Sequence, residues 1–202
     1  MTTVFSEQAS GQITRLDVQA GLSVAELLQE LEAQPQSSRE SECLRDCAGR
    51  WIDSLVCLSV QLPQRLLGRT NSAGQSLAEI LAVFLPVDVE REIESAWKES
   101  PSLGFILHGL GARLCRAAVE LLIPGITGCL PLPMLSAADE SALRELLAPW
   151  GLFSSAAGAE AGTFYLGRGY ALLTYSSYKG GCAVCALNKN CRKAVGATLM
   201  SL

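Results

Sequence analysis

The apolar positions of this chain recur at different periods along its length. Residues 12–18 alternate as Gln12, Ile13, Thr14, Arg15, Leu16, Asp17 and Val18, the pattern of a half-buried strand. Val24, Leu27, Leu28 and Leu31 then fall at helical spacing behind Ser23, which stands at the N-cap with Glu26 at N3 as a capping box. Pro35 ends that run, and residues 34–41, rich in Ser, Gln, Pro and Glu, read as a linker or surface loop. Over residues 41–62 the spacing predicts one amphipathic helix, with Leu44, Trp51, Leu55, Leu58 and Leu62 on one arc opposite Arg45, Asp46, Arg50 and Asp53. On that projection Cys43, Cys47 and Cys57 share a flank of the apolar stripe. Small buried hydrophobes are the better reading of the three, and a thiol set for a metal is the alternative.

Residues 69–74 form a polar turn, and the aliphatic run at 77–85 reads as a buried strand, with a helix as the alternative. Pro86 and Asp88 open a helix carrying Val89, Ile93 and Trp97 at four-residue steps, ending near Ser100 and Pro101. Residues 104–123 begin with a short apolar run and become a helix with Leu110, Leu114, Ala117 and Leu121 on one face. Gly104, Gly109 and Gly111 there permit close approach of a neighbouring element. Three prolines and two glycines exclude regular structure from residues 124–133. Ser136 caps a helix with Asp139 and Glu140 in its first turn and Leu143, Leu146 and Leu147 on its apolar face, and Pro149 stops it. Residues 163–178, aromatic and β-branched around Gly167-Arg168-Gly169, predict a β-hairpin. Strands and helices thus mix in an α/β domain.

A chain of 202 residues, 49% apolar and 18% charged, suffices for one sizeable core. Its most apolar stretch, 103–126, contains His108, Arg113, Arg116 and Glu120 and is cut by Pro124, which excludes a transmembrane helix there. A net charge of −4 argues against a surface that tracks nucleic acid phosphates. The first residues lack the basic start and apolar block of a signal peptide, so the eight cysteines are expected to be reduced, in a cytoplasm.

The densest cysteine group lies in the C-terminal tail. Cys182 and Cys185, with two residues between them, can share one ion, and Cys191 can reach it after a turn. A fourth ligand comes from Cys129 in the Pro/Gly segment, from Cys115, or from the cysteines of the helix flank. Lys179, Lys189, Arg192 and Lys193 add positive charge that lowers thiolate pKa values. An all-cysteine set with basic neighbours suits an iron–sulfur cluster over zinc. A Cys182–Cys185 redox pair and three unligated thiols stand as alternatives. His108, the single histidine, reads as a satisfied or surface residue, and the lack of a second one argues against a conventional zinc hydrolase. The Gly109-x-Gly111 pair lacks the following Gly-Lys-Ser/Thr of a P-loop. No set of acid and base groups converges in the sequence to name a reaction, so whether the chain is an enzyme stays open.

Four segments, taken in order, resemble the vitamin B12-dependent methionine synthase activation domain family in its short stand-alone form. They are LAVFLPVDVEREIE at 81–94, GFILHGLGARLCRAAVE at 104–120, the proline-rich turn and acidic-start helix at 131–147, and YALLTYSSYK at 170–179, followed by the cysteine tail. In the family the second segment is a strand, a small-residue turn and a helix ending in a glutamate, the place held here by Glu120. The resemblance implies an α+β single domain, with an antiparallel or mixed sheet flanked by helices. A strand and helical region at 1–70 would precede the activation-domain-like region at 71–202. It implies a cytoplasmic accessory protein for corrinoid chemistry beside a corrinoid protein or methyltransferase, in which S-adenosylmethionine methylates reduced cobalamin. Asp88, Glu120 and Tyr170 match family-like positions; Glu120, Tyr170 and Lys179 are the expected cofactor contacts, and Cys182, Cys185, Cys191 and Cys129 the expected cluster ligands. The alternatives are a non-enzymatic zinc or thiol-redox module and a plain binding domain.

Overall fold

Valine, isoleucine and leucine concentrate in short segments that a sheet covered on both sides can bury. In the computed structural model four strands form one antiparallel sheet: β1 (Gln12–Arg15), β2 (Val56–Gln61), β3 (Glu79–Phe84) and β4 (Ala171–Tyr175), in the order β1-β2-β3-β4. The structure describes residues 12–29, 31, 38–62, 79–124, 126, 130, 132–133, 135–152 and 169–176. Its helices are α1 (Val24–Gln29), α2 (Ser38–Ser54), α3 (Val87–Glu99), α4 (Pro101–Leu122) and α5 (Ala137–Leu147).

The register sorts the core into two layers. Cys57 faces Val83 and Ser59 faces Leu81 on one side of the sheet, where Leu81, Val83 and Leu85 pack with the apolar faces of α1, α2, α3 and α4. On the other side Leu58, Val60, Ile80, Ala82, Phe84 and Leu173 pack against Leu143 and Leu147 of α5 and against Leu152. β3 is therefore buried from Ile80 through Phe84. A strand covered on both faces reads as a continuous apolar run rather than an alternating one. The sheet draws β1 and β2 from the first 70 residues and β3 and β4 from the rest.

Several elements match the sequence reading. Glu26 N–H donates to Ser23 Oγ at 3.4 Å at the start of α1. Ser136 and Asp139 form a reciprocal capping box at α5: Asp139 N–H donates to Ser136 Oγ at 3.2 Å, and Ser136 N–H donates to Asp139 Oδ2 at 3.1 Å. Between α3 and α4, Ser100 N–H closes α3 on the Ala96 carbonyl at 2.8 Å, while Ser100 Oγ accepts from Leu103 N–H at 3.4 Å. Pro101 then occupies the first turn of α4, where its missing N–H costs nothing.

Other expectations are corrected. The single helix predicted over 41–62 is α2, ending at Ser54, followed by β2. Leu55 N–H turns back to the Ile52 carbonyl at 3.2 Å, and Val56 begins the strand. β2 is buried on both faces between β1 and β3, so its apolar run coincides with the helical arc of α2 and the sequence carries no break in pattern. Cys57 accordingly lies in the sheet and not on the helix flank. The short strand and turn expected at the start of 104–120 are absent, because α4 runs unbroken from Pro101. Its glycines mark close packing instead. α2 starts at Ser38, so the end of the predicted 34–41 loop is helical. In the predicted 163–178 hairpin, β4 pairs with β3, and the proposed turn at 167–168 and the polar turn at 69–74 lie outside the described residues. Among the described residues, no helix is long and apolar enough to cross a membrane.

Candidate functional site

Tyr170 is the point where three of the four resembling segments meet. Its carbonyl accepts from Leu85 N–H at 3.0 Å, just after β3, and from Cys115 Sγ of α4 at 3.5 Å. Its hydroxyl lies 2.8 Å from Nδ1 of His108, also on α4, with the two rings edge to face at 5.5 Å. Glu90 of α3 receives Gly169 N–H at 3.1 Å and Tyr170 N–H at 3.5 Å on Oε1. The ring rests on Gly111, where an added Cβ would stand 2.8 Å from Tyr170 Cδ1. Glycine at 111 is what lets β4 enter against α4. Burial first, then the charge of Glu90, pushes the Tyr170 phenol up to about 12, so it is protonated at neutral pH. The hydroxyl and Nδ1 share one hydrogen bond, whose donor is set by the imidazole tautomer. His108 itself is exposed, which makes the pair a polar point at the surface of an otherwise apolar junction.

A second cluster joins α2 to α3. Glu92 Oε1 accepts from Arg50 Nη2 at 2.7 Å and Oε2 from Trp51 Nε1 at 3.0 Å. Cys47 Sγ donates to Glu92 Oε1 at 3.6 Å and lies 4.0 Å from Cys43 Sγ, one turn back on α2. Burial, then the neighbouring Cys43 and Glu92, push the Cys47 thiol up to about 12. Burial opposes ionisation of Glu92, but the hydrogen bonds from Arg50 and Trp51 outweigh it and hold the carboxyl below its ordinary value. Cys57 and Cys115 are buried thiols, each pushed up to about 12 chiefly by burial. Like Cys47, they are protonated at neutral pH.

The third feature is Glu120, near the end of α4. Arg116 Nε donates to its Oε1 at 2.7 Å and Arg113 Nη1 to its Oε2 at 3.0 Å. The hydrogen bond from Arg116 leads in holding this carboxyl below its ordinary range. The group borders an open-sided pocket of about 240 Å³ between α4 and the start of α1, lined also by Leu22, Glu26, Ala117 and Leu121.

Of the residues singled out by resemblance, Tyr170 is built into the junction and Glu120 is held by its two arginines. The two are not brought together. Nine residues of α4 separate Gly111, under Tyr170, from Glu120, roughly 13 Å at about 1.5 Å per residue. Asp88 is a surface residue in the first turn of α3, 2.9 Å from Arg91. Lys179, Cys129, Cys182, Cys185 and Cys191 lie outside the described residues. Among the described residues, no three His, Cys, Asp or Glu side chains stand where they could hold one metal ion.

No protein family, characterised protein or solved structure matches this chain. Sequence reading missed Glu92 as the partner of Cys47, Arg50 and Trp51, because the contacts span 41 to 45 residues along the chain. Its one local signal is an acidic side chain directly before the buried Ile93.

The depressed carboxyls make a pH prediction. A carboxyl held below its ordinary value binds its proton less tightly in the folded than in the unfolded chain. The stability from Glu92 is therefore complete above about pH 4.5 and is lost as pH falls through the lower folded value. Urea unfolding between pH 7 and 3 should show this decline, and Glu92→Gln should flatten it. At pH 7 that variant should cost about 1 kcal/mol, after allowance for solvent screening of a group a third exposed. An unchanged pH slope would show that the ion pair adds nothing to folding.

Proposed function

We propose that the chain is a cytoplasmic accessory protein for corrinoid chemistry, acting beside a corrinoid protein or methyltransferase in its reductive reactivation. One observation carries the reading: segments 81–94, 104–120 and 170–179, which resemble the activation domain family in order along the sequence, also converge in space on Tyr170. The antiparallel sheet flanked by helices supports it. In this reading exposed His108, held by the buried Tyr170 hydroxyl, offers its imidazole to the partner or its cofactor, and Glu120 and Lys179 contribute charged contacts. S-adenosylmethionine is the methyl donor by resemblance.

The donor chemistry of the tail, an all-cysteine set with basic neighbours, fits an iron–sulfur cluster held by Cys182, Cys185 and Cys191 with Cys129 as the fourth ligand. A cluster there supplies single electrons, the increment by which an oxidised corrinoid is reduced. The full chain purified under strict anaerobiosis should contain iron and absorb near about 400 nm, and Cys185→Ser should abolish both. It should also accelerate the reduction of added cobalamin by dithionite, followed from the cobalamin spectrum. An iron-free, colourless chain overturns the cluster. A chain that leaves the cobalamin reduction rate unchanged overturns the corrinoid role.

A further inference from the structure

We propose that Cys43 and Cys47 form a two-thiolate site for a soft monovalent cation, with Cu(I) as its type. The two residues are one helical turn apart on α2, and their sulfurs stand 4.0 Å from each other. With metal–sulfur bonds of about 2.3 Å, two thiolates sharing an ion are between about 3.8 Å apart, at a tetrahedral angle, and about 4.6 Å apart, in line. At the observed 4.0 Å the angle at an ion would be about 120°, and opening to the linear arrangement takes about 0.6 Å, within the reach of side-chain rotation. A disulfide needs a sulfur separation of about 2.05 Å, roughly 2 Å shorter than the reduced pair shows. The pair can share an ion or, on side-chain rotation, close to a disulfide, and the test separates the two.

The donor count narrows the ion. Zinc takes four ligands, and among the described residues no third Cys, His, Asp or Glu side chain completes such a set. A soft ion content with two sulfur donors fits what is present. The surroundings suit it too. Two thiolates holding a monovalent cation carry one net negative charge, and Arg50 Nη2 lies 3.4 Å from Cys47 Sγ to face it. Arg50 is fixed there by Glu92 at 2.7 Å and Asp46 at 3.0 Å. Cys47 is buried while Cys43 is half-buried, so the ion enters from the Cys43 side. Two S–H bonds break and two metal–sulfur bonds form; both protons go to solvent and no oxidation state changes.

The test is a saturating anaerobic Cu(I) titration of the full chain against the chromophoric chelator bicinchoninate. Cys43→Ser should saturate at one equivalent less than the parent chain. In the parent chain, saturation with Cu(I) should slow alkylation of Cys43 by N-ethylmaleimide at least tenfold, read by peptide mass spectrometry, because a metal-bound thiolate is no longer the free nucleophile. The labelling decides the matter if Cys43→Ser fails to fold. Equal stoichiometry in two folded chains, or unchanged labelling of Cys43, overturns the site. A Cys43–Cys47 disulfide in chain purified without reductant overturns it in favour of a redox pair.

Discussion

Trp51→Ala is expected to remove about 4 kcal/mol of folding stability, enough to leave a domain of this size marginal or unfolded. The indole is 1% exposed, the largest of the fully buried side chains, and packs in the layer between α2 and the sheet. It also donates to Glu92 Oε2 through Nε1 at 3.0 Å. Two costs therefore add: a large cavity, and a partly desolvated carboxylate that loses a hydrogen bond. Trp51→Phe separates them, because the ring is mostly retained and only the donor is lost. That variant should cost about 1–2 kcal/mol. Urea denaturation followed by circular dichroism gives both values. Combining Trp51→Phe with Glu92→Gln should cost less than the sum of the single changes, since both remove the same contact. A loss below about 1 kcal/mol for Trp51→Ala would place the indole outside the cooperative core.

The same residue shows where sequence reading succeeds and where it stops. Trp51 falls on the apolar arc of residues 41–54 because an amphipathic helix with one buried face writes its burial at a period of 3.6. α3 and α5 were legible for the same reason, helped by Pro86, Ser136 and Pro149. β2 was not. Buried under helices on one face and α5 on the other, it has no solvent side to impose alternation, and its leucines continue the arc of α2 without a seam. The break after Ser54 is decided by pairing with β1 and β3, which a local pattern does not encode. In 104–120 the error was of another kind. Gly104, Gly109 and Gly111 read as sites of close approach, which the structure shows at 104 and 111, whereas the strand and turn that the resemblance implies are replaced by one continuous helix.

The candidate sites follow this division. Cys43 and Cys47 were legible as one flank of α2, since a helix places residues four apart side by side. Glu92 was not, because its contacts depend on how α3 packs against α2. His108 read as a satisfied or surface histidine, and the structure makes it both: exposed, with its Nδ1 taken by Tyr170. What the fold adds is convergence. α3 contributes Glu90, α4 contributes His108, Gly111 and Cys115, and β4 contributes Tyr170, so any change in the spacing of α3 and α4 is felt at this junction.

That spacing is set at Gly104, and Gly104→Ala is expected to destabilise the chain by about 2 kcal/mol, with Gly104→Val costing about 3 kcal/mol. A Cβ at this position would lie 2.5 Å from Trp97 Cδ2, 2.6 Å from Cγ and 2.8 Å from the Trp97 Cα. The indole is 42% exposed and has room to swing away. The Cα does not, so the two helices must separate. The gain in helix propensity on replacing glycine, about 1 kcal/mol, offsets only part of this. Gly49 supplies the control: it lies within α2 with nothing within 4 Å of its would-be Cβ, so Gly49→Ala should stabilise the chain by about 0.5–1 kcal/mol. The double variant Gly104→Ala/Trp97→Ala distinguishes ring from backbone. If the helix axes are held apart by the Trp97 backbone, deleting the indole leaves the loss in place. Full recovery in the double variant would show instead that the ring alone sets the distance between α3 and α4, and that the junction around Tyr170 tolerates a wider gap.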